Sequence, residues 1–218
     1  MTIGGYQKAS DLPGVIPVFP LSGVLLLPGA ELPLNIFEPR YLNMIDDAMA
    51  GDRLIGMVQT RGGDPERPTL ATIGCVGKIT SFAETPDGRY MITLTGVSRF
   101  EVGDELPGGA PYRQVRARFA PFEDDLREHE IPPTLDRPRF LKALGRYLDQ
   151  RGLGIDWDTA QQAPADALVN SLSMGLPFDP AEKQALLEAV TIADRAEALV
   201  ALLEIDSAGG DDEPHSMQ

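Results

Sequence analysis

The chain has 218 residues, enough for one large domain or two small ones with a sizeable buried core. Its 33 acidic against 19 basic residues give a formal charge of −14, which opposes attraction to a phosphate backbone or an anionic membrane. A single cysteine, Cys75, excludes an intramolecular disulfide scaffold and a thiolate metal cluster, and fits a reducing compartment.

Residues 1–13 read as an N-terminal extension. They lack the positive segment and apolar run of a secretory signal. The longest apolar candidate, Val15 to Leu34, is broken by Pro17, Pro20, Pro28 and Pro33, so no membrane span is expected and a soluble, cytoplasmic protein is.

Residues 14–122 read as a β domain. Short runs at 14–20, 31–37, 53–60, 72–84, 89–96 and 112–122 carry strand composition between turn signals. Pro86-Asp87-Gly88 predicts a hairpin between the runs that flank it. Alternation puts Tyr90, Ile92 and Leu94 on one face with Met91, Thr93 and Thr95 on the other; Val115, Ala117 and Phe119 similarly oppose Gln114, Arg116 and Arg118. Pro17 and Pro33 each remove a ladder donor, which predicts edge strands or bulges. One helix interrupts the strands, from Pro39 to Ala50, with Tyr41, Leu42, Ile45, Ala48 and Met49 on its apolar stripe and Asn43, Asp46 and Asp47 opposite.

An acidic connector, 123–135, leads to a helical subdomain, 136–205. Helices are predicted from about Pro138 to Arg151, from Pro164 to before Gly175, after the Asp179-Pro180-Ala181-Glu182 capping box, and from about Thr191. Residues 206–218 have no periodicity and read as a disordered acidic tail. Residues 1–120 sum to about −2 and 121–218 to about −12, so the charge belongs to the second half. Strands first and helices after define an α+β chain.

The residue types that usually carry catalysis are sparse. His129 lies in the acidic connector and His215 in the tail, and neither has a ligand partner at zinc-site spacing. Ser22 follows a strand and precedes Gly23 without an evident base, so a turn serine is the expected role. Cys75 sits between Gly74 and Val76 as a small buried hydrophobe, with Lys78 on the opposite strand face. No phosphate loop, GxSxG elbow or calcium loop occurs. Arg113, Arg116 and Arg118 are the notable basic cluster, expected to be a solvated face paired with local acids. Catalytic residues, metal ligands and cofactors are therefore all read as none.

The order and spacing of Pro17-Val18-Phe19-Pro20-Leu21, Pro28-Gly29 and Leu34-Asn35-Ile36-Phe37-Glu38-Pro39-Arg40-Tyr41 resemble the N-terminal substrate-binding domain of Lon proteases. Ile73-Gly74-Cys75-Val76-Gly77-Lys78-Ile79 resembles that family's IGxxGxI strand, and Leu94-Thr95-Gly96-Val97-Ser98-Arg99-Phe100 its LxGxxRF strand. The likeness extends from about Gly14 to Glu204. It implies a PUA-like, mostly antiparallel β-barrel with one short helix, then a C-terminal helical bundle. It also implies recognition of unfolded substrates and a part in oligomer assembly. The sequence contains neither the phosphate loop nor the Ser-Lys protease region, so the expectation is a stand-alone, non-enzymatic form.

Read residue by residue, the matched motif is expected to be structural. Phe19 and Phe37 are expected core anchors, Pro20 and Pro39 fix a turn and a helix entry, Glu38 suits the helix N-terminus, Arg40 pairs locally and Tyr41 belongs to the helix stripe. Val24, Leu25, Leu26, Leu27 and Pro28 are either a buried strand or an exposed loop. Burial is expected, because four contiguous apolar residues in water are an aggregation liability; where exposed, they are the candidates for contacting polypeptide. The reading that results is a polypeptide-binding module for unfolded or partner segments, whose partners are polypeptide segments or a protease or chaperone component, and an adaptor in protein quality control. The alternatives are a small-molecule enzyme using Arg99, Glu101 or Arg116 in the barrel cleft, or an RNA-binding protein.

Overall fold

The computed structural model describes residues 5–64, 67–127 and 135–209, with side chains through 206. They fall into two compact units. The first contains the described residues up to 127 together with Pro177–Leu187; the second contains residues 135–176 and those from Glu188 onward.

The first unit is built on β1 (Val15–Pro20), β2 (Glu31–Ile36), α1 (Pro39–Ala50), β3 (Leu54–Val58), β4 (Thr60–Asp64), β5 (Arg67–Leu70), β6 (Ile73–Glu84), β7 (Tyr90–Glu105) and β8 (Arg113–Arg118). The main sheet runs β2-β7-β6-β3-β1-β8, and β8 pairs back onto β7, which closes a five-stranded barrel. Every main-sheet pairing is antiparallel except β1 with β3. Closure depends on the length of β7. Its first part pairs with β2 through Tyr90–Thr95, and its last part pairs with β8 from Glu101. Between them the register slips at Val97, where β7 takes two steps from Gly96 to Ser98 against one step of β6 from Gly77 to Val76.

Most of the predicted elements stand where the patterns place them, and α1 spans Pro39–Ala50 as read. Its buried residues are Tyr41, Met44, Ile45 and Ala48, so the inward face includes Met44 in place of Met49. Pro33 lies on the edge strand. Pro17 does not: β1 sits between β3 and β8, but its pairing with β3 starts at Val18, leaving Pro17 beside β8 alone. The hairpin β4–β5 is an addition, bent at Gly62 and Gly63, both at positive φ. Inside the barrel Ile16, Val18, Val76, Val97, Phe100 and Val115 form the core. Phe100 fills space that side chains on the neighbouring strands would take, since a Cβ at Gly56 or Gly74 would stand 2.8 or 2.9 Å from its ring.

The second unit contains α2 (Arg137–Arg151), α3 (Trp157–Gln162), α4 (Ala165–Gly175) and α6 (Ile192–Gly209). Asp136 caps α2 by accepting from the Arg139 amide, and Gly152 ends it at φ 62°. Helix α3 was not legible from apolar spacing; Asp156 starts it by accepting from the amides of Asp158 and Thr159. Arg137 donates to the carbonyls of Ala160, Gln161 and Ala163, which covers its C-terminal end. Buried Arg195 donates to Asn170 at 2.9 Å between α6 and α4. The helix α6 continues past Ile205 to Gly209, because small and polar residues there still propagate a formed helix. This corrects the start of the expected tail at 206; 210–218 lie outside the described residues.

The helical subdomain expected over 136–205 is interrupted at 177–187, which packs with the barrel. Those residues include all but the last residue of α5 (Pro180–Glu188), begun as expected by Glu182, which accepts from the Asp179 amide at 2.8 Å. Buried polar contacts explain its position. Gln59 donates to the Pro180 carbonyl and to Gln184, Gln184 donates to the Ile73 carbonyl, and Lys183 donates to the Gly23 carbonyl at 2.9 Å. Burial pulls the Lys183 ammonium below its usual range.

At the other end of α5, Arg99 of β7 donates to the Leu187 carbonyl. Its guanidinium also grips Asp125 through two bonds, at 2.9 and 2.7 Å, and stacks on Phe122. Asp125 accepts from the Arg99 amide as well. Both charged side chains are at most 10% exposed. Arg99→Ala leaves Asp125 desolvated without its partner, and a loss of about 3–5 kcal/mol is expected in urea unfolding. At the barrel seam, hydrogen bonds from Arg113, then from Arg67, hold the Glu105 carboxyl below its ordinary range against the opposing effect of burial. A lowered folded-state pKa contributes stability above the unfolded value that is lost as pH falls through the folded one. The stability advantage of the native chain over Glu105→Gln should therefore be present at about pH 7 and shrink by about pH 3.

Candidate polypeptide-binding surface

Beyond Ile79 strand β6 leaves β3, and its Ser81–Glu84 stretch joins the start of β7 and β2 in a three-stranded lobe. The register defines rows across it: Leu34, Ile92, Phe82; Asn35, Met91, Ala83; Ile36, Tyr90, Glu84. Period-two alternation buries Ile36 and Ile92 on one side and exposes Asn35, Met91 and Ala83 on the other.

The same alternation corrects the reading of Phe37. Ile36 is the last inward residue of β2, so Phe37 turns outward and is 64% exposed. It is not a core anchor. Met91 is 45% exposed, and Phe82 40% with its ring against Tyr90 at 4.9 Å. The other residues of the motif make contacts within the chain. Phe19 packs on Tyr41 at 4.2 Å, both buried, and Pro20 ends β1 opposite Val58. Glu38 precedes α1 and pairs with Arg40 at 2.8 Å, while the Arg40 guanidinium lies over the Tyr41 ring. Burial pushes the Tyr41 phenol up.

Acidic groups border the lobe. Asp46 and Asp47, read as the solvent side of α1, accept from Tyr90 at 3.0 Å and Tyr112 at 2.7 Å. Burial and the Asp47 carboxylate push the Tyr112 phenol up to about 12. Arg89 is engaged by Asp87 at 2.7 Å.

The segment 24–28 takes the buried alternative, as an irregular stretch rather than a strand. Leu25, Leu26 and Leu27 are at most 2% exposed, while Val24 and Pro28 are half-buried. These leucines therefore offer no apolar surface to a partner. Glycines make the burial feasible. A Cβ on Gly77 would stand 2.7 Å from a Leu26 methyl, and one on Gly96 would stand 2.0 Å from the Leu27 carbonyl oxygen. The Gly96 amide donates to the Ala30 carbonyl, and its carbonyl accepts from Gly29.

The residues considered for a barrel-cleft enzyme are not brought together. Arg99 is buried in its ion pair, Glu101 pairs with Arg118 at 2.8 Å, and Arg116 is exposed. Cys75 is buried and Ser22 lies in an exposed turn. His129 and His215 lie outside the described residues. Among the described residues, no group of three or more His, Cys, Asp or Glu is placed to hold a metal ion. Sequence patterning places Phe82 in the 72–84 strand run and Met91 on the Thr93 and Thr95 face without a role for either; for Met91 the signal is an apolar residue on an otherwise polar face.

Comparison with known proteins fits this architecture. The family described as the ATP-dependent protease La (LON) substrate-binding domain matches residues 15–204. Lon protease 2 of Myxococcus xanthus is 29% identical over 215 residues, 91% of this chain and 24% of that protein. The Lon protease of Anaeromyxobacter dehalogenans is 32% identical over 208 residues, 88% of this chain and 23% of that protein. The Lon N-terminal domain protein of Xanthomonas campestris shares the fold at a TM-score of 0.60 and 23% identity, with 86% of this chain and 97% of that one covered. The N-terminal domain of Mycobacterium avium complex Lon protease gives a TM-score of 0.60 at 19% identity, covering 88% and 98%. The chain belongs to the Lon substrate-binding domain family, and it spans about a quarter of the length of the curated relatives it matches. No helix among the described residues is long and apolar enough to cross a membrane.

Because the Gly96 contact is to backbone, which cannot rotate away, Gly96→Ala should lower stability by about 3 kcal/mol. Gly109→Ala, with open space around it, should leave the urea midpoint within experimental error.

Proposed function

We propose that this chain is a non-catalytic polypeptide-binding module that holds unfolded or partner segments and serves as an adaptor in cytoplasmic protein quality control. The observation that carries the reading is the set of outward apolar side chains on the lobe. Large apolar residues in water cost free energy that a partner's apolar surface recovers. Phe37 and Met91 share one side by alternation, because Phe37 lies two residues beyond Asn35, the cross-strand partner of Met91. The family match is to the substrate-binding part of Lon proteases, which supports a binding role and a non-catalytic one. Proteolysis and ATP hydrolysis are not carried over to it.

The test is suppression of light scattering by a heat-denaturing client enzyme. The native chain should delay aggregation, and the double variant Phe37→Asp, Met91→Asp should lose most of that protection with an unchanged unfolding midpoint, since both side chains are exposed. Full protection by the double variant would overturn this placement. Absence of protection by the native chain, with no unfolded polypeptide bound in a direct assay, would overturn the reading.

A further inference from the structure

The two outer edges of the lobe differ in backbone chemistry. The Gly96 amide donates to Ala30, so alternation turns the backbone of residues 32, 34 and 36 toward β7 and that of residues 31, 33 and 35 outward. Pro33 therefore presents its ring nitrogen to solvent at the centre of the β2 edge. Pairing with another strand is blunted there.

The β6 edge has no such block. The Thr85 amide donates to Arg89 and Thr80 Oγ1 donates to the Thr93 carbonyl, which fixes residues 81 and 83 toward β7. The register slip around Thr80 then leaves the amide and carbonyl of both Phe82 and Glu84 facing outward. Among the described residues neither has a hydrogen-bond partner on that side, and Thr80 to Glu84 are all exposed.

We propose that this edge of β6 takes one extended polypeptide segment by strand addition, with Phe82 and Glu84 supplying the backbone bonds. The proposal rests on the polypeptide-binding reading and deepens it. An aligned row of donors and acceptors matches an extended backbone and no folded surface. Side chains set the preference. An added residue beside Phe82 continues the apolar row of Leu34, Ile92 and Phe82; a residue two positions away on the same face meets Glu84. The segment that fits carries an apolar and a basic side chain at that spacing. A formal charge of −14 on each chain opposes a second copy as the occupant.

The experiment measures fluorescence anisotropy of a short labelled peptide in which threonine alternates with valine and lysine. Its N-methylated form, which keeps the side chains and loses the backbone donors, is the comparison. The native chain and Phe82→Val should bind the peptide and slow amide exchange at Phe82 and Glu84. Phe82→Pro, which loses the ring as Phe82→Val does and in addition the outward donor, and the N-methylated peptide should each weaken binding by about tenfold or more. Equal binding of both peptides overturns the proposal, as does a native-chain dimer in sedimentation that Phe82→Pro dissolves. Should Phe82→Pro fail to fold, the two peptides on the native chain decide alone. A reduced, carboxymethylated unfolded protein is measured in parallel. If it binds while both peptides bind equally, the edge falls and the polypeptide-binding reading stands; if neither it nor the peptide binds, both fall.

Discussion

The fold turns on the missing side chain at Gly96. Where β7 would carry a Cβ, the carbonyl of Leu27 lies 2.0 Å from its position, so the segment after β1 crosses against the sheet there. Three arrangements meet at that point. The apolar run 25–27 finds a dry bed, the ladder to β2 begins through the bonds of Gly96 with Gly29 and Ala30, and β7 slips register before pairing with β8. One long strand can thus serve both a closed barrel and an open lobe. The division also separates two kinds of sheet edge, because closure abolishes free edges while the lobe keeps two.

Polar groups complete what apolar packing begins. Arg99 joins β7, the turn around Asp125 and the end of α5, while Gln59, Gln184 and Lys183 fix the beginning of α5. Such groups are expensive to bury unless each is satisfied, so they admit one docking geometry for the helix and penalise others. The lobe has the opposite economy: it exposes the apolar side chains of Phe37, Met91 and Phe82, and two arginines near them are engaged locally, Arg40 with Glu38 and Arg89 with Asp87.

Much of this was legible in the sequence because it obeys short periods. Alternation assigned the faces of β7, Pro39 and Gly51 bracketed α1, and the capping box announced α5. The family motifs placed the barrel. What escaped was non-local. Phe37 looked like an anchor since an aromatic in a matched motif is commonly buried, and only its register relative to Ile36 shows that it turns to water. The partnership of Arg99 with Asp125 spans 26 residues, and that of Lys183 with Gly23 spans 160, distances at which no spacing rule operates. The unequal edges required both a pairing register and the direction of individual amides.

The place of α5 in the chain has a bearing on biosynthesis. Its residues follow α2, α3 and α4 in sequence, yet they belong with the barrel unit, so that unit is discontinuous along the polypeptide. A ribosome releases the chain from the N-terminus, and until α5 has followed α2, α3 and α4 the barrel strands exist without the helix that satisfies Gln59 and Arg99. The barrel unit is complete only after residues up to Leu187 have emerged. Until then the nascent protein has the character of the clients it is proposed to hold: partly ordered, with buried-type polar groups and apolar surface awaiting a partner.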